Sequence, residues 1–419
     1  SFVERFLLAS RVPWFYAWKL VWPADLMFFY PRWTIDASAA WQWLFPLATF
    51  TTLGILILVA WRWRLRGPLT GVLYFLGTLF PVLGFLNVYP FLFSYVADHF
   101  QYLPSLGLIA LAAAGLTLAA GRLPASMHSA ARAAGVLLVA VLAWLSWQQS
   151  QMYSDVVPLY RTTLAKNPDA WLAHNNLGIE LAEGLRIDEA IRHYQEAMRL
   201  KPDAAEVHYN YGNALLAQDK RKEATDAYRE ALRLLPEYPQ ALSNLASLLS
   251  EQGESDEAIA LLEKAIKIAP QNPDAHDKLG AALVAAGRVV DAAPHLVRAL
   301  ELDPNHPKAL SNMSNALLAS GHPNEAIDVA VRSIKADPKY APAHNNLGAA
   351  LAQTGRYPEA IAHFREATRL DPQFVLAYGN LMAAYAATGQ YDDAAAAARQ
   401  GLEAARPARK DEPAGPLEL

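Results

Sequence analysis

The sequence predicts an all-α protein in two parts, a multi-span helical membrane domain followed by an α-solenoid of short helical repeats. Two observations lead to this prediction. The C-terminal part contains prolines spaced by 34 residues without a slip: Pro168, Pro202, Pro236, Pro270, Pro304, Pro338 and Pro372. The N-terminal part contains four stretches without a charged residue: 37–61, 67–97, 99–121 and 133–154. Each stretch is long enough to cross a bilayer, which takes about 20 apolar residues.

The C-terminal repeats share a pattern of small, apolar and turn-forming residues. If each unit ends two residues after its proline, the first begins at Trp171 and the seventh at Val375. Position seven is a large apolar residue, and position eight is Gly, Ala, Ser or Met. Position twenty is always alanine: Ala190, Ala224, Ala258, Ala292, Ala326, Ala360 and Ala394. Small residues allow two helices to approach closely, and a glycine such as Gly253 can end a helix with a positive φ.

This pattern resembles the tetratricopeptide repeat, a helix-turn-helix unit of 34 residues. The resemblance implies a right-handed α-solenoid over residues 171–408, built from seven repeats. Residues 151–170 are predicted to be a degenerate half-repeat or linker, and the Pro-containing end at 409–419 a disordered tail. The Ala-rich seventh unit is typical of a terminal cap.

Basic residues near the apolar stretches predict the topology of residues 1–150. Arg62, Arg64 and Arg66 fill one connection, and Arg122 and Arg132 fill another two spans later. Because Lys and Arg mark cytoplasmic loops, both connections are predicted to face the cytoplasm. The last span then delivers the repeats to the extracytoplasmic side of a multi-pass cell (inner) membrane.

The number of spans is four or five. The apolar stretch 12–30 carries Lys19 and Asp25, so it either spans the membrane or enters and leaves on one side. Because the chain starts at Ser1 almost directly in membrane sequence, we interpret it as the C-terminal portion of a longer protein.

Composition excludes some kinds of site. The net charge is −4 and no strongly basic segment is present, so nucleic acid is not a predicted partner. Cysteine is absent, which rules out disulfides and cysteine-ligated metals.

Histidine recurs at position four of several units (His174, His208, His276 and His344). We predict a packing role and no metal site, because successive repeats stand too far apart to share an ion.

The predicted outward connection carries candidate binding residues. It reads NVYPFLFSYVADHFQYLPSLG over residues 87–107 and contains Asp98, His99 and Tyr102. Ionisable residues at a membrane edge are costly and are therefore functional candidates. Pro104 suits the start of a helix, whose N-terminal N–H groups attract an anion such as phosphate. The alternative is that Asp98 and Tyr102 are ordinary interface residues.

The spacing of eight residues in this connection resembles the transmembrane and tetratricopeptide-repeat O-mannosyltransferase family and its bacterial relatives. The residues are Asn87, Ala97, Asp98, Tyr102, Leu103, Pro104, Ser105 and Gly107. The resemblance implies a C-type glycosyltransferase that takes a sugar from a polyprenyl-phosphate carrier, with no further cofactor. His99 stands where the family usually has arginine, which is the stronger phosphate partner. The family's catalytic acidic residues lie upstream of Ser1, so the catalytic residues are unknown and this chain alone is predicted to be inactive.

Asparagine recurs at position six of six units: Asn176, Asn210, Asn244, Asn312, Asn346 and Asn380. Lys278 takes this position in the fourth unit, and Asn213 and Asn315 follow three residues after two members of the row. Position six is predicted to face the concave groove. An amide both donates and accepts, so the row could bind the main chain of an extended peptide. It resembles the asparagine row of the nucleocytoplasmic O-GlcNAc transferase. The alternatives are a solvated surface or bonds between neighbouring units.

Two classes of function follow. The first is the C-terminal part of a membrane glycosyltransferase, whose spans help to hold the lipid-linked donor and whose repeats bind protein acceptors. The second is a non-catalytic membrane-anchored scaffold for envelope protein assembly. An oligosaccharide ligase with a repeat tail is a further alternative within the enzyme class.

Overall fold

The structure is a computed structural model that describes residues 2–21, 30, 33–80, 102–150 and 155–406. Every regular element in these residues is helical. The chain divides into two compact units, Ser1–Lys220 and Arg221–Leu419, which are described separately below. Helices are numbered α1 to α20 in chain order.

The first unit begins with five mostly apolar helices. They are α1 (Phe2–Val21), α2 (Leu44–Arg62), α3 (Gly67–Leu79), α4 (Tyr102–Gly121) and α5 (His128–Ser150), with a short 3-10 helix at Ala40–Trp43 before α2. Val12 and Tyr16 of α1 are buried against Phe75 and Leu79 of α3. At the crossing of α3 and α4, a Cβ on Gly107 would lie only 2.6 Å from the carbonyl oxygen of Gly71. The two helices therefore pack nearly backbone to backbone.

Three helical segments are long and apolar enough to cross a membrane: Ala40–Arg62, Leu103–Gly121 and Ala125–Leu145. They overlap three of the four uncharged stretches of the sequence. In the fourth stretch, α3 has 13 residues and the following residues 81–101 lie outside the described part of the chain. In the ambiguous stretch 12–30, α1 ends at Val21 and residues 22–29 also lie outside it.

Paired helices follow the apolar segment. The first unit contains α6 (Val156–Lys166), α7 (Trp171–Glu183), α8 (Ile187–Leu200) and α9 (Ala205–Ala217). The second unit contains α10 (Arg221–Leu234), α11 (Pro239–Glu251), α12 (Ser255–Ile268), α13 (Pro273–Ala285), α14 (Val289–Leu302), α15 (Pro307–Ala319), α16 (Pro323–Ala336), α17 (Ala341–Gln353), α18 (Tyr357–Leu370), α19 (Val375–Ala387) and α20 (Tyr391–Ala404). The seven repeats begin at the residues that the proline spacing predicts.

A residue with positive φ separates the two helices of each repeat. In the last five repeats it is glycine, with φ between 75° and 85°: Gly253, Gly287, Gly321, Gly355 and Gly389. The first two repeats place Leu185 (φ 58°) and Asp219 (φ 56°) at the same point. Such φ values cost a residue with a Cβ roughly 1–2 kcal/mol, so these two turns are less favourable than the glycine turns.

The two helices of a repeat meet at positions eight and twenty-four, where residue sizes compensate each other. A Cβ on Gly178 would lie 2.6 Å from the ring of Tyr194, and one on Gly348 would lie 2.7 Å from the ring of Phe364. Where position twenty-four is the small Ala330, position eight is the larger Ser314, and both are fully buried. The contact therefore requires a small residue on one helix only when the other carries a large one.

Candidate functional site

The position-six side chains reach back to the preceding repeat. In the first unit, Nδ2 of Asn210 donates to Oδ1 of Asn175 over 3.0 Å. Nδ2 of Asn176 donates over 3.1 Å to the hydroxyl of Tyr160, which lies on α6. The first bond connects two neighbouring repeats, and the second connects the first repeat to the helix before it.

The second unit repeats this contact three times. Nδ2 of Asn312 donates to Oδ1 of Asp277 over 2.8 Å, and Nδ2 of Asn380 donates to Oδ1 of Asn345 over 2.8 Å. Nδ2 of Asn346 donates to both the hydroxyl and the carbonyl oxygen of Ser311, each over 3.0 Å. We call Asn312, Asn346 and Asn380 the asparagine ladder. In the fourth repeat, Nζ of Lys278 donates instead to Oδ1 of Asn244 over 3.0 Å.

The acceptors occupy position five, which the sequence reasoning did not identify. They are almost entirely buried, with exposed fractions between 1% and 4%: Asn175, Asp277, Ser311 and Asn345. A signal for them exists in the sequence, because position five is Asn, Ser or Asp in five of the seven repeats although it lies on a packed helix face. A buried polar side chain needs a hydrogen-bond partner, and position six of the next repeat supplies it.

The ladder amides keep part of their hydrogen-bonding capacity for another molecule. They are half-buried, and an amide has two N–H donors and an oxygen that accepts two bonds. The bond to position five uses donor capacity and fixes the direction of the side chain. Of the two further asparagines in the predicted groove, Asn213 is half-buried and Asn315 is exposed.

The fourth repeat differs from the others in charge. Burial raises the pKa of the Asp277 carboxyl, an effect that the hydrogen bond from Asn312 opposes. Burial likewise lowers the pKa of the neighbouring Lys278. Tyr340 has its pKa raised to about 12, first by burial and then by the charges of Asp277 and Asp337. An acid and a base thus occupy the positions that hold two asparagines in the first and sixth repeats.

Three of the four position-four histidines contact a second histidine that the sequence reasoning missed. The facing Nδ1 atoms are 2.9 Å apart in His174–His193 and 3.3 Å apart in both His276–His295 and His344–His363. Each pair joins the two helices of one repeat, which agrees with a packing role. Within the described ranges, no group of three or more His, Cys, Asp or Glu residues is arranged to hold a metal ion.

The predicted lipid-phosphate residues have little structural description. Asp98 and His99 lie outside the described residues, and Tyr102 is the first residue of α4. Near the start of the chain, the guanidinium carbon of Arg11 on α1 lies 4.2 Å from the ring centroid of Trp33 and 5.4 Å from that of Trp41. Aromatic rings at this distance stabilise a cation.

Comparison with known families establishes the nature of the repeats. Models described as tetratricopeptide repeat match residues 141–205, 311–373 and 351–410. These are tetratricopeptide repeats. A third model, the middle TPR-like domain of cilia and flagella-associated protein 70, matches residues 175–287. The prediction from the proline spacing is confirmed.

Several solved structures are similar to this chain. The APC/C hetero-tetramer Cut9–Hcn1 contains a chain with 17% identity and a TM-score of 0.50, matched over 59% of this chain and 49% of that one. A tetratricopeptide repeat protein from Parabacteroides merdae ATCC 43184 has 17% identity and a TM-score of 0.48, over 56% and 93% of the two chains. YrrB, described as a TPR protein with an unusual peptide-binding site, has 22% identity and a TM-score of 0.37, over 44% and 95%. These similarities concern the fold.

No curated protein matches the sequence. The O-mannosyltransferase resemblance is not shown by any of these comparisons and stays a prediction.

Proposed function

We propose that this is a membrane-anchored tetratricopeptide-repeat protein whose asparagine ladder binds the main chain of an extended partner segment. The observation that carries the proposal is the regular placement of half-buried amides, each held by a buried position-five side chain of the preceding repeat. Because the amide direction is fixed before binding, little side-chain entropy is lost when a peptide bonds to it.

An amide row suits main-chain recognition. A peptide backbone offers one N–H and one C=O per residue, and an asparagine side chain offers the complementary groups. We therefore expect binding that tolerates changes in the peptide's side chains and fails when its backbone N–H groups are blocked.

The test compares two double variants in the full chain held in lipid nanodiscs. Asn346→Ala with Asn380→Ala removes two half-buried amides of the ladder together with their inter-repeat bonds. Each lost neutral hydrogen bond to the peptide is worth about 0.5–1.5 kcal/mol. Two lost amides should thus weaken binding at least tenfold, since about 1.4 kcal/mol corresponds to that factor. The measurement is fluorescence anisotropy with labelled Ala/Ser/Thr peptides and their backbone N-methylated counterparts.

The matched control is Ser311→Ala with Asn345→Ala. These residues are buried, so their loss weakens the inter-repeat bonds but leaves the half-buried amides of Asn346 and Asn380 in place. Peptide affinity should change less than threefold in this variant. If both double variants bind equally weakly, the asparagines act only by holding repeats together. Equal binding of native and N-methylated peptides would also contradict main-chain recognition.

The membrane location is also a proposal. It is supported by the three long apolar helices and by the basic connection after α2. A reporter enzyme that is active only outside the cytoplasm should be active when fused after Pro158 and inactive when fused after Arg66. The reverse pattern would place the repeats in the cytoplasm. A fusion after Arg122, the other predicted cytoplasmic connection, serves as a second negative control.

A more specific version of this proposal is that the chain is the C-terminal part of a membrane glycosyltransferase. Its support is the resemblance of residues 87–107 to the O-mannosyltransferase family. In such an enzyme, the repeats would bind the protein acceptor, which receives a sugar from a polyprenyl-phosphate carrier. Asp98, His99 and Tyr102 would contact the phosphate of that carrier. The alternatives are an envelope scaffold and an oligosaccharide ligase, and both keep the peptide-binding role of the repeats.

A further inference from the structure

The three histidine pairs share one hydrogen-bonding arrangement, and we call them the His clasps (His174–His193, His276–His295 and His344–His363). In each, Nε2 of the first histidine lies 3.1–3.2 Å from the carbonyl oxygen of the proline six residues earlier. A carbonyl oxygen only accepts, so this Nε2 carries a proton. In a neutral ring the other nitrogen, Nδ1, is then an acceptor. The second histidine must therefore donate its own Nδ1–H across the gap.

We propose that each His clasp is a proton-controlled contact between the two helices of its repeat, closed with no or one added proton and opened by a second. The first added proton goes to Nε2 of the second histidine. That nitrogen takes no part in the clasp, so the Nδ1–H donor stays in place. A second proton has only Nδ1 of the first histidine available. Two N–H groups would then face each other, and the hydrogen bond would be replaced by a repulsion between two cations.

The geometry of the clasps favours a proton over a metal ion. In His276–His295 the ring centroids are 5.5 Å apart while the nitrogens are 3.3 Å apart, and His344–His363 has the same two distances. The difference nearly equals two ring radii, so the nitrogens face each other along the line between the rings. A metal ion between the two rings would have only two protein ligands, whereas zinc sites in proteins supply three or four, and no third ligand group accompanies the pairs within the described ranges. The gap fits a hydrogen atom.

Charged groups on the surrounding helices act on the clasps in both directions. The groups near the first clasp are Arg161 of α6, Asp169 before α7, and Glu189, Arg192, Glu196 and Arg199 of α8. Glu263 of α12 acts on His295, and Glu359 and Glu366 of α18 act on His363. Burial is the largest influence in every case and lowers the pKa of His174, His193, His295 and His363, while the carboxylates oppose it.

The sign of the pH effect follows from these lowered pKa values. A histidine that resists protonation in the folded state takes up a proton on unfolding. The stability of a clasped repeat is therefore fully present above the ordinary histidine pKa of about 6.5 and is lost as the pH falls below it. For each proton taken up when a clasp opens, the equilibrium constant for opening rises about tenfold for every unit by which the pH falls.

The second repeat supplies a natural design for the test. His208 makes the same bond to the carbonyl of Pro202, over 2.9 Å, but position twenty-three of its repeat is Ala227. Replacing His193, His295 and His363 with alanine gives the clasped repeats this arrangement and leaves every position-four histidine in place.

The experiment is hydrogen exchange followed by mass spectrometry on the full chain in nanodiscs, between about pH 7.5 and about pH 5. Comparing the wild type with the triple alanine variant at each pH cancels the intrinsic exchange rate. Protection of α7, α13 and α17 in the wild type, relative to the variant, should fall by up to about tenfold per pH unit below pH ~6.5. Helices α11 and α15, which carry Leu242 and Leu310 at position four, should show no such change.

A nitrogen NMR titration of labelled histidine gives a readout that packing alone would not move. In the first clasp, His174 should keep the proton on Nε2 and stay neutral at pH values where His193 has become cationic. The proposal is overturned if His174 protonates before His193, or if the wild type and variant lose protection in parallel. Should the triple variant misfold, single His363→Ala with His295 intact tests the sixth repeat alone.

Discussion

Gly348→Ala is expected to destabilise the sixth repeat. The new methyl group would lie 2.7 Å from Cε1 and 2.8 Å from Cδ1 of Phe364, at a helix crossing where both residues are buried. Overpacking of this kind costs about 1–3 kcal/mol. It should outweigh the gain of up to ~1 kcal/mol from placing alanine instead of glycine in a helix. Denaturant unfolding and local hydrogen exchange in α17 and α18 would measure the change.

Two variants control for this effect. Gly379 also lies inside a helix, but a Cβ there meets no atom within 4 Å, so Gly379→Ala should stabilise the protein slightly. Adding Phe364→Leu to Gly348→Ala recreates the Ala246 and Leu262 pair of the third repeat and should recover most of the loss. If the Gly348→Ala variant is as stable as the Gly379→Ala variant, a large residue at position twenty-four does not require a small residue at position eight.

Asp277→Asn is expected to stabilise the protein at neutral pH. The folded state raises the pKa of this carboxyl by burying it, so the ionised form is disfavoured there. Each unit of raised pKa corresponds to about 1.4 kcal/mol of stability lost at pH values above the folded pKa. Asparagine avoids this penalty and still accepts the bond from Asn312, as Asn345 does from Asn380 over 2.8 Å.

The pH dependence separates this explanation from a general effect of charge. As the pH falls through the raised pKa, Asp277 becomes protonated and the wild type should regain the difference. The advantage of Asp277→Asn should therefore be largest at neutral pH and shrink on acidification. Asp328→Asn, at an exposed position on α16, should leave stability nearly unchanged. An advantage that stays constant from neutral to acidic pH would contradict the role of burial.

Much of the helical framework could be predicted from local sequence. The proline spacing predicts where each repeat begins, because proline cannot continue a helix. Gly253 and its four equivalents mark the turns because they can take positive φ. Leu185 and Asp219 were not predictable in this way, since residues with a Cβ seldom occupy such a turn.

The candidate site was predictable only in part. The asparagines at position six are visible as a row, but their acceptors at position five belong to the preceding repeat. The two residues are 35 positions apart, and only the stacking of repeats brings them together. The His clasps were missed for a similar reason, since His276 and His295 meet across the helix pair at a separation of 19 residues. Burial and electrostatic effects such as those at Asp277 depend on that packing as well.

The compensation between positions eight and twenty-four constrains how such an array can be rearranged. Phe364 fits beside a glycine, whereas the larger Ser314 faces Ala330, so the two helices of a repeat must be inherited together. A crossover at the residue of positive φ would join helices of unmatched size. A crossover near the prolines keeps each matched pair intact and changes only contacts between neighbouring repeats, such as the bonds between positions five and six and the apolar packing of Ala330 with Leu347. Duplication, deletion and laboratory shuffling of these repeats should therefore succeed when the breakpoints lie between repeats and fail when they lie at the turn inside one.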